Sequence, residues 1–97
     1  MRLQQYEIDS ITSIANSIFG KGSKIILFGS RVHDDLNGGD IDLYIQPTAK
    51  SALIEKKIDF LIALKAKIGD QKIDVILEKD NSRLIEQEAI RKGLILE

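Results

Sequence analysis

The segment Asp40-Ile41-Asp42-Leu43-Tyr44-Ile45-Gln46 alternates polar with apolar side chains almost without a break. Successive side chains of a strand point to opposite faces, so this pattern predicts a strand with Ile41, Leu43 and Ile45 in the core. Asp40 and Asp42 then face the other way, about 6.6 Å apart along the backbone. A chain containing such a strand must build a sheet covered on the isoleucine side. It must also accommodate carboxylates on the opposite side.

The rest of the chain supplies the cover. Ile8, Ile11, Ala15 and Ile18 recur at helical steps, which predicts a helix over residues 3–19 stopped by Gly20 and Gly22. Lys24 to Phe28 is a short apolar run and reads as a buried strand. Asn37-Gly38-Gly39 is turn chemistry. A second helix is predicted over 48–68, capped by Thr48 or Ser51, with Ile54, Ile58, Leu61, Leu64 and Ile68 as its buried stripe. Lys65 and Lys67 suit its negative end, and Gly69 stops it. A third strand is expected over 72–78. A third helix follows, capped within Asp80-Asn81-Ser82 and reaching Lys92, and Leu94-Ile95-Leu96 forms a short edge strand. The order helix, strand, strand, helix, strand, helix predicts an α+β fold, a small mixed β-sheet backed by helices on one face.

With 97 residues the chain is expected to be a single domain spanning 1–97. Its net charge of −1 argues against a protein that grips nucleic acid directly through the phosphate backbone. It has no cysteine and one histidine, which excludes disulfides, thiolate chemistry and multi-histidine zinc sites. No apolar run approaches the roughly 20 residues of a membrane span. Met1 to Tyr6 lacks a signal-peptide pattern, so no membrane association and a cytoplasmic location are expected.

The acids carry the chemistry. Asp74 interrupts the apolar strand Ile73-Asp74-Val75-Ile76-Leu77, where aspartate is disfavoured. Carboxylates gathered on one sheet face repel one another and raise each other's pKa, and a divalent cation removes that penalty. Hard oxygen ligands select Mg²⁺ or Mn²⁺. Two such ions can clamp the attacking and leaving oxygens of a phosphoryl displacement. Gly29-Ser30-Arg31 directly follows a strand. Glycine permits close approach of a ligand, free N–H groups and the Ser30 hydroxyl can cradle a phosphate, and Arg31 can hold phosphate charge by a bidentate contact. Read alone, Gly29-Ser30 is equally an ordinary turn.

Phe28-Gly29-Ser30-Arg31, the nine residues 31–39, Asp40-Ile41-Asp42-Leu43 and the later Lys72-Ile73-Asp74-Val75-Ile76 together resemble the signature of the DNA polymerase beta-like nucleotidyltransferases. The likeness is greatest to their minimal nucleotidyltransferase branch. Gly39 stands where many members have serine, and Asp34 where many have glycine.

The resemblance implies a nucleotidyltransferase-like fold and Mg²⁺-dependent transfer of AMP from ATP to a hydroxyl. Gly29, Ser30 and Arg31 would bind the nucleotide. Asp40 and Asp42 would ligate two ions, and Asp74 would ligate the one that holds the acceptor hydroxyl. The chain looks too short to enclose an acceptor pocket, so a homo-oligomer or a partner is expected to present the acceptor. In this family that partner is commonly a HEPN-type helical protein. The implied activity is AMP transfer to one of its tyrosines, with this chain as antitoxin of a toxin-antitoxin pair. A small-molecule (antibiotic-like) nucleotidyltransferase and a non-catalytic binding antitoxin are the alternatives. His33 reads as a solvated residue, with a proton shuttle or phosphate contact as the alternative, and Tyr44 as packing at the site's edge or a nucleotide contact. Lys56, Lys57, Lys65 and Lys67 read as a solvated helix face.

Overall fold

The computed structural model of the chain describes residues 3–29, 40–79 and 83–96. These form, in order, α1 (Gln5–Phe19), β1 (Lys24–Phe28), β2 (Ile41–Gln46), α2 (Leu53–Ile68), β3 (Ile73–Leu77), α3 (Leu84–Lys92) and β4 (Leu94–Ile95). The four strands make one mixed sheet in the order β3-β2-β1-β4. β1 runs antiparallel to both β2 and β4, and β2 runs parallel to β3. The fold is the α+β arrangement that the pattern predicts, and the edge strand expected over 94–96 is present as Leu94–Ile95.

One face of the sheet carries the main core. Ile25, Leu27, Ile41, Leu43, Ile45, Ile73 and Val75 meet Ile8, Ile11, Ala15 and Phe19 of α1 and Phe60, Leu64 and Ile68 of α2. These side chains alternate along each strand, as a sheet with one oily face requires. The Gln4 N–H donates to Glu7 Oε1 at 2.9 Å, which closes the first turn of α1. Gln71 Nε2 donates to the other oxygen of Glu7 at 2.8 Å, so the helix start is also tied to the chain entering β3.

Three expectations about the helices are corrected. The first concerns the start of α2, which lies at Leu53 and not near Thr48. Thr48 Oγ1 donates instead to Lys21 O at 3.1 Å, which fastens the exit of β2 to the end of α1. Neither Thr48 nor Ser51 caps α2. The N-cap position is Ala52, in the left-handed region at φ 51° and without a side-chain cap.

The second correction concerns the buried stripe of α2, which runs through Phe60, Leu64 and Ile68, with Leu61 partly buried. Ile54 and Ile58 are exposed. Apolar residues occupy more than one side of this helix, and Phe60, stacked at a tilt on Phe19 with ring centres 5.5 Å apart, sets its rotation.

The third concerns the faces of the sheet. α1 and α2 cover one face, but α3 lies on the other, where Ala89 packs with Ile26 and Tyr44. Its start carries no side-chain cap at Arg83, and the caps expected at Asp80, Asn81 and Ser82 lie outside the described residues.

α3 is held by a buried carboxylate. Glu86 is fully buried. It accepts from Tyr44 Oη at 2.8 Å, from the Lys79 N–H at 3.0 Å and from Arg83 Nε at 2.6 Å. Arg83 also donates to Leu77 O at 3.0 Å. A buried charge needs such a set of donors to offset its desolvation.

Candidate active site

The parallel register of β2 and β3 sets Asp42 beside Asp74, and the antiparallel register of β1 and β2 sets Phe28 on the other side of Asp42. Phe28, Asp42 and Asp74 thus form a row across three neighbouring strands, which lie about 4.8 Å apart. The row is on the face that α3 covers only in part. Asp42 is half-buried and Asp74 is exposed.

Burial pushes the Asp42 carboxyl above its ordinary value of 3.8, and the charges of Asp74 and Asp40 push it further the same way. A side-chain hydrogen bond with Asp74 adds to the rise, while Lys72 opposes it. The two carboxylates therefore stand close enough to interact directly. A hard cation would relieve the same repulsion.

Asp40 lies one residue before β2. Its Oδ2 pairs with Lys72 Nζ at 3.4 Å, and both side chains are well exposed. Among the described residues no group of three or more His, Cys, Asp or Glu side chains is gathered closely enough to hold a metal ion. The donors nevertheless suit Mg²⁺ or Mn²⁺. Asp42 and Asp74 supply adjacent hard oxygens, and an exposed ion pair such as Asp40–Lys72 contributes only about 0–1 kcal/mol, so it does not bind Asp40 firmly elsewhere.

Gly29 follows β1 at a positive φ of 78°. A Cβ there would strike Asp42 Oδ2, so the backbone passes directly against the carboxylate. Only glycine satisfies both constraints. Gly29→Ala is expected to destabilise the chain by about 1–3 kcal/mol and to push Asp42 off its place beside Asp74. Thermal melting reads the first effect. Titration of the Asp42 carboxyl carbon by NMR reads the second, as a return toward 3.8.

Ser30 and Arg31, assigned with Gly29 to nucleotide binding, lie outside the described residues. So do His33 and the two positions that depart from the family pattern, Asp34 and Gly39. Tyr44 is fully buried under α3. Burial pushes its hydroxyl up to about 12, with Gln46 opposing and Glu86 adding to the rise. It packs and donates to Glu86, and its hydroxyl is not a nucleotide contact.

Cavities flank the row on both sides. One of about 420 Å³ adjoins β1, lined by Phe28, Gly29, Leu84, Ile85 and Glu88. Another, of about 520 Å³, opens beside β3 and includes Asp42, Asp74, Phe28, Ile76, Ile85 and Lys57 in its lining. The acids thus border a cavity, short as the chain is. α3 supplies its wall from the opposite face, which the helical pattern did not foresee. Lys57, read from the sequence as part of a solvated helix face, borders this pocket at the edge of β3. Only the mixed topology reveals this, because the crossover through α2 brings that helix back along β3. Among the described residues no helix is long and apolar enough to cross a membrane.

No known protein family matches the chain. No curated protein is measurably similar to it in sequence.

Proposed function

We propose that the chain is a Mg²⁺-dependent nucleotidyltransferase that moves AMP from ATP to a hydroxyl. The observation that carries this reading is the pair Asp42–Asp74, two like charges set side by side in register with Gly29 pressed against one of them. A site that only bound a partner would gain nothing from this repulsion. Asp40, Asp42 and Asp74 are the residues that would hold Mg²⁺ or Mn²⁺, two ions in all, which would neutralise charge as the phosphoryl group transfers.

The acceptor oxygen attacks the α-phosphorus, a new P–O bond forms, and the bond to the departing pyrophosphate breaks. Asp74, the more exposed carboxylate, is assigned the acceptor's proton. Gly29, with Ser30 and Arg31, is assigned the triphosphate on the β1 side. In-line displacement then sets the acceptor on the opposite side, at the cavity beside β3.

The resemblance supplies the finer reading. The acceptor is a tyrosine of a HEPN-type helical partner, the chain is its antitoxin, and the pair works in the cytoplasm. A small-molecule acceptor is the second reading, and the 520 Å³ cavity within this one chain favours it.

Metal and nucleotide should together stabilise the fold. At a ligand concentration one hundred times the dissociation constant the gain is about 2.7 kcal/mol. For a domain near this size that is a rise of roughly 10 °C or more in melting temperature. Differential scanning fluorimetry with millimolar Mg²⁺–ATP against chelator measures it. Equal melting temperatures would remove the nucleotide site.

A further inference from the structure

The cavity beside Asp42 and Asp74 does not end at β3. A second one, of about 480 Å³, runs along α2, and the two share Lys57, Leu61, Val75 and Ile76. They form one channel with the carboxylates at its inner end. Ile54 and Ile58, one turn apart on α2, border the outer end with 76% and 52% of their surface exposed. Scattered exposed isoleucines need no explanation, but a contiguous apolar strip opening from a polar site marks a binding surface. Lys57 stands where the two cavities join. Among the described residues its ammonium makes no hydrogen bond or ion pair.

We propose that this channel docks a segment of a partner protein that carries the acceptor hydroxyl. The segment offers an acidic residue to Lys57 and apolar side chains to Ile54 and Ile58. The role given to the hydroxyl rests on the transferase reading, whereas the docking chemistry rests on the channel alone. Its length selects a protein segment, because a single small acceptor fills the inner cavity and leaves the isoleucines bare. Its chemistry selects the residues of the segment. Two cations line the channel, and Arg83 is already paired with Glu86, so Lys57 between an apolar strip and two carboxylates accepts an apolar chain with a well-placed acid rather than a nucleic-acid backbone. Lys57 also sets direction, since the acid it holds fixes how far the hydroxyl reaches toward Asp74.

The test is selection of a displayed library of random twelve-residue peptides on the full chain. Peptides containing an acidic residue and at least two apolar residues should be enriched. Their affinity should fall about tenfold on Lys57→Glu, and by a similar factor in the double variant Ile54→Asp/Ile58→Asp. All three positions lie outside the buried core, so both variants should fold. Failure to select any peptide, selection without acidic residues, or affinity indifferent to Lys57→Glu would each overturn the proposal. So would a concentration-dependent dimer abolished by the double variant, which would make a second copy the occupant. The Mg²⁺–ATP melting shift of the unaltered chain, measured alongside, separates the two readings. A shift without selected peptides overturns docking alone. Selected peptides without a shift leave the docking surface standing and remove its transferase role.

Discussion

Asp42→Asn is expected to lower AMP transfer at least ~100-fold while making the metal-free chain more stable at neutral pH. Both effects come from one carboxylate. Removing a group that stabilises transferring charge commonly costs about two to three powers of ten. The stability gain follows from the raised pKa of Asp42. A group that titrates higher in the folded state than in the unfolded one favours folding while protonated. That contribution is full below the ordinary value of 3.8 and is lost as pH rises through the raised value.

At pH 7 the charged Asp42 therefore opposes the fold. Asparagine carries no charge and can still donate to Asp74. Like charges directly opposite on neighbouring strands cost of order 0.2–1 kcal/mol, so the variant should melt a few degrees higher without metal. The unaltered chain should gain the same increment on acidification through its raised value toward 3.8, and the variant should not. Melting curves between pH 3 and 7, with chelator, give the comparison. Lower stability of Asp42→Asn at pH 7 would show that the carboxylate is structural.

Glu86→Ala is expected to cost about 3–5 kcal/mol, the range for breaking a buried ion pair by removing one partner. The Arg83 guanidinium, the Tyr44 hydroxyl and the Lys79 N–H all lose an acceptor at once. This is a large share of the roughly 5–15 kcal/mol that holds a typical domain folded. Glu86→Gln keeps the shape and part of the bonding and should cost less. Urea denaturation measures the totals, and amide exchange in α3 locates the loss. A cost of Glu86→Ala below about 1 kcal/mol would mean that Glu86 is not what fastens α3. Because Ile85 of the same helix walls both cavities beside the acids, Glu86→Ala should also weaken the binding of Mg²⁺–ATP.

The sheet was legible in the sequence because its physics is local. Alternation in β2 and β3 fixes which side chains face the core, and Gly20 and Gly69 end the helices where the pattern stops. The strand spacing of Asp40, Asp42 and Asp74 marked the acids. Their pairing was not local: Asp42 meets Asp74, and not Asp40, because β2 and β3 are parallel and in register. Asp40 pairs with Lys72, since each stands one residue before the paired Ile41 and Ile73.

The rotation of α2 was misread for a related reason. Leu53, Ile54, Ile58, Phe60, Leu61, Ile62, Leu64 and Ile68 offer more apolar surface than one face can bury, and the Phe19 ring decides among them. Glu86 was passed over because a helix pattern assigns charge to solvent. Its one sequence signal is Arg83 three residues earlier, which places a cation on the same side of the helix. The buried pair fastens α3 to the face opposite α1 and α2, where Glu86 also accepts from Tyr44.

The central claim is that Asp42 and Asp74 serve nucleotidyl transfer. Its most direct test is to supply ATP labelled at the α-phosphate, with Mg²⁺, to the chain co-expressed with a candidate HEPN-type helical partner. Bound label and free pyrophosphate are then measured together. Nucleotidyl transfer by these acids gives label on the partner in units of AMP, pyrophosphate released in equal amount, and loss of both with chelator or with Asp42→Asn. A partner that binds the chain yet gains no label, with no pyrophosphate released, would contradict it.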